Sequence, residues 1–280
     1  MKNVEGQYLT GLSSWRRLAA STWRQPDDAT IFAQVDIDLT RAKAFLPVAS
    51  ERAGVRLTIT HLVIKALGDT LRTHPECNLL VRRGRLFRRD HVSMSVAVAI
   101  PPENAEAESK ADLTEVVLRE VDRMDLATIA AKMHEGSRAV RSKEDADFAQ
   151  AKGIMNALPP WLLNILLRLI AWLQFDWNLP LGFLGLPRDP FGGAMVTNVG
   201  TFGIAAAFPP LVPFMRIPTI VTIGEAQDRA VVANGQVVVR PILPIFATLD
   251  HRVIDGYQGG RMIRTFKRIM EAPEVLLPPA

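Results

Sequence analysis

The apolar, β-branched stretch from Val237 to Leu249 runs straight into Asp250-His251-Arg252-Val253-Ile254-Asp255-Gly256, and the segment from Gln258 to Met270 then leaves it with the look of a helix. This succession predicts a strand, a tight turn and a helix, which would hold the turn's side chains on rigid elements. The turn carries a histidine and a carboxylate four residues apart, followed at once by a glycine. An imidazole titrates near neutrality, so a positioned His251 suits a base that takes a proton from a thiol or an alcohol and later returns it. Taken alone, the spacing reads equally well as a histidine with a local ion pair at a strand end.

The rest of the chain predicts a mixed α/β order. Thr30 to Asp38 reads as a strand, followed by helices near 39–53 and 59–73 and strands around 77–82, 85–89 and 91–100. Asp90 to Ile100 alternates as a strand with one buried face does. Pro101 to Lys110 reads as a polar loop, and a helix is expected near 125–150. With 280 residues, 48% of them hydrophobic, the chain can bury one substantial core, and a single domain over 1–280 is expected.

Composition narrows the function classes. The formal charge is +4 and the pI is near 9.4, with the positive residues scattered except in Arg82-Arg83-Gly84-Arg85-Leu86-Phe87-Arg88-Arg89. That run reads as the exposed rim of a hairpin turning at Gly84, able to attract a phosphorylated cofactor or an acidic partner. No zinc-finger spacing, Walker loop, dinucleotide fingerprint or RNA-binding signature accompanies it, so neither nucleic acid nor a metal is expected. The one cysteine, Cys77, excludes an intrachain disulfide framework and reads as a structural thiol of a reducing compartment. The first residues lack the apolar core of a signal peptide, and the expected location is cytoplasmic.

A segment around 157–190 stands apart. Pro159-Pro160 is suited to starting a helix, and Trp161 to Phe175 is apolar except for one stripe of Asn164, Arg168 and Ala171. A helix of this composition is expected to bury most of its circumference. It would rise roughly 20 Å, short of the roughly 30 Å hydrocarbon core, so a transmembrane span is not expected. Three uses stay open, in this order: a subunit contact, a lid over an apolar acyl pocket, or an interfacial membrane helix.

Four ordered stretches resemble the catalytic domain of the dihydrolipoamide acyltransferases of 2-oxoacid dehydrogenase complexes and, more distantly, chloramphenicol acetyltransferase. Asp250 to Gly256 matches the signature DHRxxDG at every fixed position. Gly192 to Gly203 is similar to the family's GGTFTISNLGMFG strand and turn. His61 to Gly68, with His74-Pro75-Glu76-Cys77-Asn78, is similar to its helix ending in P-x-x-N, and Glu271 to Leu277 resembles its usual ending. Leu113 to Val121 stands where the family has a G-L-I-V-P-V-I strand, and the chain departs from that pattern at Asp112, Glu115 and Val116, where the family has glycine, valine and proline, and in the apolar insertion, where the family has a short connection.

The resemblance implies a two-layer α/β sandwich of the coenzyme A-dependent acyltransferase type. It implies transfer of an acyl group between coenzyme A and a dihydrolipoyl-like thiol or a small hydroxyl acceptor, with His251 as general base. Thr197 stands where the family has an oxyanion-binding serine. Asn198 and Gly256 belong to the two motifs, and Thr222 lies where the distant acetyltransferase has a water-binding threonine. Asp255 is implied to brace the histidine loop by pairing with Arg16, with Arg17 as the fallback. The family's site forms between neighbouring subunits of a trimer, histidine from one chain and hydroxyl from the next, so a homotrimer or an assembly of trimers is implied. The chain shows no lipoyl attachment site or subunit-binding segment, which favours a free-standing acyltransferase unless a lipoyl domain comes in trans. The competing class is a non-catalytic scaffold on the same fold, using the apolar helix for oligomer or membrane contact.

Overall fold

The computed structural model describes residues 28–100, 112–141 and 159–276. The expected pairing residues Arg16 and Arg17, the polar loop 101–110 and the part of the expected 125–150 helix beyond Arg141 lie outside them. The chain runs β1 (Thr30–Asp38), α1 (Thr40–Ala53), α2 (Ile59–Thr73), β2 (Leu79–Arg82), β3 (Arg85–Arg88), β4 (Met94–Ile100), β5 (Asp112–Leu118) and α3 (Leu126–Arg141). It continues through α4 (Pro160–Ala171), β6 (Ala194–Asn198), β7 (Thr219–Ile223), β8 (Gln227–Ala233), β9 (Gln236–Asp250) and α5 (Gly256–Glu271).

Seven strands form one mixed sheet in the order β1-β9-β7-β6-β4-β5, with β8 paired to β9 beyond that path. β4, β6 and β7 are mutually parallel, and β9 runs antiparallel to both β1 and β7. The crossover from β4 to β6 carries β5, α3 and α4, whereas the one from β6 to β7 is a long connection without an α-helix. The helices α1, α2, α3 and α5 make up the second layer, packed with the sheet around a core that includes Ile37, Leu62, Ile64, Met94, Ile129, Ile254 and Met270. The α/β sandwich expected from the sequence is therefore the observed fold.

Alternation along the strands sets what each face does. On β1, Ile37 is fully buried, whereas Phe32, Gln34 and Asp36 are exposed on the side away from the helices. Phe32 meets Phe208, and Phe208 meets Phe246, edge to face at centroid separations of 5.2 and 5.0 Å, so the segment before β7 covers part of that outer face. The hairpin β8–β9 is an element the sequence reading passed over. Its turn, Asn234-Gly235, has both residues at positive φ (51° and 78°), as a two-residue hairpin turn of the favoured hand requires.

The insertion behaves differently from expectation. In α4 only Ala171 is buried, while Trp161, Ile165 and Leu169 are about half exposed or more. The expectation of broad burial is thus not met within one chain, because the helix lies on the body along one edge only. Its end is nevertheless firmly anchored. A π turn, Trp172–Asp176, swings Phe175 into a small cluster with Leu80, Ala171, Phe191 and Phe214. It also buries the Asp176 carboxylate, which accepts from Arg216 Nη2 at 2.9 Å and from the Arg83 backbone N–H at 3.1 Å. Arg83 then stacks over Trp177, 3.8 Å from the ring centroid. The turn at Gly84 and β3 are exposed, as the arginine-rich sequence predicts, whereas Leu80 of β2 and the Arg89 side chain at the end of the run are buried.

Candidate active site

The signature loop is built from its own side chains. Asp250 is buried at the end of β9, and its backbone N–H donates to Pro218 O at 2.9 Å. Its carboxylate accepts from the Arg252 backbone N–H at 3.0 Å and from the Arg252 guanidinium, Nε at 2.9 Å and Nη2 at 2.6 Å. That bidentate pair holds the Arg252 side chain's pKa above its ordinary value. Asp250 O receives the N–H groups of Val253 and Ile254, closing the turn, and both of those side chains drop into the core. Asp250 is therefore the loop's organiser, a role the reading of the sequence did not give it although it is the first letter of the motif.

Between these anchors His251 points to solvent. Its backbone N–H donates to Ala29 O at 2.8 Å, so the main chain is fixed while the side chain is exposed. Asp255 caps α5: Oδ1 accepts from the N–H groups of Tyr257 at 2.8 Å and Gln258 at 3.0 Å, and the Asp255 N–H in turn donates to Gln258 Oε1 at 2.8 Å. The capping box fixes where the helix starts, at Gly256, with its cap four residues after the histidine. At Gly256 a Cβ would meet nothing within 4 Å, so this chain's own fold does not require glycine there.

The second group lies on β6 and β7. Thr197 pairs with Thr222 in parallel register, and Thr222 pairs with Phe246 on β9, so the three side chains form a row on the outer face. Thr197 is half-buried; Thr222 is fully buried, and its hydroxyl has no hydrogen-bond partner among the described residues. Asn198 points the other way, its Nδ2 donating to Thr60 Oγ1 at 2.9 Å, which ties β6 to the start of α2. Glycine is required beside this strand. Gly192 has φ +74°, and a Cβ there would approach Ser93 O at 2.4 Å. At Gly200 it would approach Gly224 O at 2.3 Å.

Register also measures how far apart the two groups are. Asp250 lies four residues beyond Phe246, roughly 14 Å along β9, with His251 further on; Thr197 lies two strand spacings, roughly 10 Å, to the side. The fold of one chain thus brings Thr197 and Thr222 together but keeps His251 away from both. Asp255 stays with His251 by covalent proximity.

Away from the signature loop, burial shifts three titratable groups. Burial, reinforced by Glu76, pushes the Cys77 thiol up to about 12, as suits the inert thiol its surroundings predict. Burial lowers the pKa of His61, whose Nδ1 accepts from the Thr58 N–H at 3.2 Å in the cap of α2. Burial also raises the pKa of Glu115, although a hydrogen bond with Ser95 opposes it. Among the described residues, no cluster of three or more His, Cys, Asp or Glu has the arrangement of a metal site, and no helix is long and apolar enough to cross a membrane.

Comparison with known proteins bears directly on this arrangement. Residues 14–152 and 190–278 match the family model for the 2-oxoacid dehydrogenases acyltransferase (catalytic domain), leaving out 153–189, where α4 and its π turn lie. The dihydrolipoyllysine-residue acetyltransferase component of the acetoin cleaving system of Bacillus subtilis (strain 168) is 26% identical over 250 residues, 89% of this chain and 50% of that protein. The chain spans about half the length of the curated relatives it matches. The cubic core of the pyruvate dehydrogenase multienzyme complex shares the fold with a TM-score of 0.65 at 21% identity, covering 90% of this chain and 85% of that one. The dihydrolipoamide acetyltransferase of Azotobacter vinelandii does so with the same score, identity and coverage, in a structure devoted to a serine, a histidine and an asparagine in its catalytic mechanism. The chain belongs to the catalytic-domain family of the 2-oxoacid dehydrogenase acyltransferases.

Proposed function

We propose that this chain catalyses coenzyme A-dependent acyl transfer to a thiol or small hydroxyl acceptor, with His251 as general base and Thr197 of a neighbouring copy as oxyanion donor. The observation that carries the reading is the signature loop, which fixes the backbone of an exposed histidine from both sides. In the Azotobacter vinelandii protein a serine, a histidine and an asparagine are the residues at issue, and here Thr197, His251 and Asp255 are their candidate counterparts. Threonine keeps the donor hydroxyl and adds a methyl that restricts its rotamer.

The reaction balances with these groups alone. His251 takes the proton of the acceptor S–H or O–H as the sulfur or oxygen bonds to the thioester carbonyl carbon. The carbonyl oxygen becomes an oxyanion, to which the Thr197 hydroxyl donates. Collapse breaks the bond to the coenzyme A sulfur, which recovers the proton from the imidazolium. Because the register holds Thr197 far from His251 within one chain, the reading requires an assembly in which one copy's β6 faces another's signature loop, and a homotrimer supplies that with closed symmetry. Arg16 as the partner of Asp255 belongs to the same proposal, as does a lipoyl domain supplied by another chain.

Subunit mixing tests this. His251→Ala and Thr197→Val are each expected to be inactive as homogeneous assemblies, and co-assembled they should regain part of the wild-type thiol release from acetyl-coenzyme A. Full activity of His251→Ala would remove the general base. No recovery after demonstrated subunit exchange would remove the shared site.

A further inference from the structure

The segment that the family model leaves out closes a cavity against the signature loop. This cavity, about 570 Å³, has α4 and its π turn on one side, the chain before β7 on another, and Asp250 and Arg252 at its end. A volume of this order suits a small organic ligand. From α4 comes Ala171 and from its π turn Trp172; from the opposite side come Val212, Phe214 and Ile217, so the walls are mainly apolar.

Three arginines also line it, and their surroundings differ. Arg216 is neutralised by the buried Asp176 carboxylate at 2.9 Å, and Arg252 by Asp250 at 2.6 Å. Arg168, on α4, forms no ion pair with a described acid and leaves one positive charge at the mouth. The anchoring of Asp176 and Phe175 makes this wall a fixed part of the structure rather than a loose flap.

We infer that this cavity is the acceptor-side pocket of the enzyme and that the insertion selects an acceptor with an apolar body and one negative charge. The inference rests on the acyltransferase reading, and it goes beyond it by naming the ligand class and the residues that choose it. Trp172 and Phe214 contact the apolar body, and Arg168 meets the anionic group. A long aliphatic carboxylate that also bears a thiol or hydroxyl has that chemistry, and the plain carboxylate is its unreactive mimic.

Decanoate is a suitable probe, with decan-1-ol as its uncharged counterpart and calorimetry on the full chain as the readout. Wild type should bind decanoate more tightly than decan-1-ol. Arg168→Gln should weaken decanoate about fivefold to tenfold and leave decan-1-ol unchanged, and Trp172→Ala should weaken both. Trp161→Ala, on the exposed part of α4 and outside the cavity, should bind both probes as wild type does. In thiol-release kinetics decanoate should compete with the acceptor and not with acetyl-coenzyme A.

Equal decanoate affinity in wild type and Arg168→Gln, an equal loss in Trp161→Ala and Trp172→Ala, or inhibition that is not competitive with the acceptor would each overturn the inference. The calorimetric arm needs no turnover. If His251→Ala kept full activity while the binding pattern held, the catalytic reading would fall and the pocket's selectivity would stand.

Discussion

The signature loop and the apolar insertion are both hung on the same end of the sheet, yet they are held by opposite means. In the loop, Asp250, Arg252, Asp255 and Gln258 satisfy one another within a few residues, so the conformation is encoded where it occurs. In the insertion, the fixing contacts run from Asp176 to Arg83 and Arg216, far away in sequence, and the apolar side chains of α4 remain largely in the open. The comparison teaches that a short polar motif can be self-supporting, whereas a greasy helix takes its place from whatever surface receives its anchor.

The strongest way to break the comparison is at the loop's chemistry. His251→Ala should lower thiol release from acetyl-coenzyme A by about a hundredfold to ten-thousandfold with an unchanged melting temperature, because the ring is exposed and only the backbone is fixed. A drop in melting temperature of several degrees would show instead that the side chain is structural. Thr197→Val should lower kcat about a hundredfold while Thr197→Ser stays near wild type. Equal losses in both variants would point to packing of the added methyl rather than to the hydroxyl.

The insertion should answer in stability rather than rate. Asp176→Ala leaves the half-buried Arg216 guanidinium and the Arg83 N–H without their acceptor, at a cost of about 2 kcal/mol in denaturant unfolding. Early proteolysis between Trp161 and Trp177 should accompany it. A variant with unchanged stability and protease pattern would mean that Phe175 alone seats the segment.

At the small end, Asp255→Asn keeps an acceptor at the cap of α5 and should shift stability by a few tenths of a kcal/mol, whereas Asp255→Ala should cost about 1 kcal/mol. Equal effects would deny the capping role. Acid offers a final, mild test at the other cap. His61 accepts a hydrogen bond only when neutral, and burial holds its pKa below 6.5 in the folded chain. The folded state therefore binds this proton less readily than the unfolded one, and stability is lost as pH falls below 6.5 through the folded value. His61→Gln should remove that part of the pH dependence in urea melts between pH 7 and 5.

Much of the fold was legible because its periods are local. The strands at β1 and β4, helices α1 and α2, and the strand, turn and helix around His251 all sit close to where alternation and motif spacing place them. The hairpin β8–β9 was also legible, in Asn234-Gly235 between two alternating apolar runs, although the longer run into the signature motif masks the strand break there. The break of the insertion's helix into a π turn was not legible. It depends on Asp176 finding Arg216, a contact no local pattern announces.

Sequence by itself determined that this chain forms an α/β layer structure of the acyltransferase family and that a histidine stands on a braced turn. Those properties follow from alternation, helical spacing and hydrogen bonds that close within a handful of residues. Only the tertiary structure decided that Thr197 and Thr222 share a row while His251 lies at the other end of the strands, and that α4 stands exposed beside the loop instead of buried. Strand order, register and the seating of an inserted helix are set by which distant surfaces fit together, and that fit is a property of the packed chain rather than of any one stretch of it.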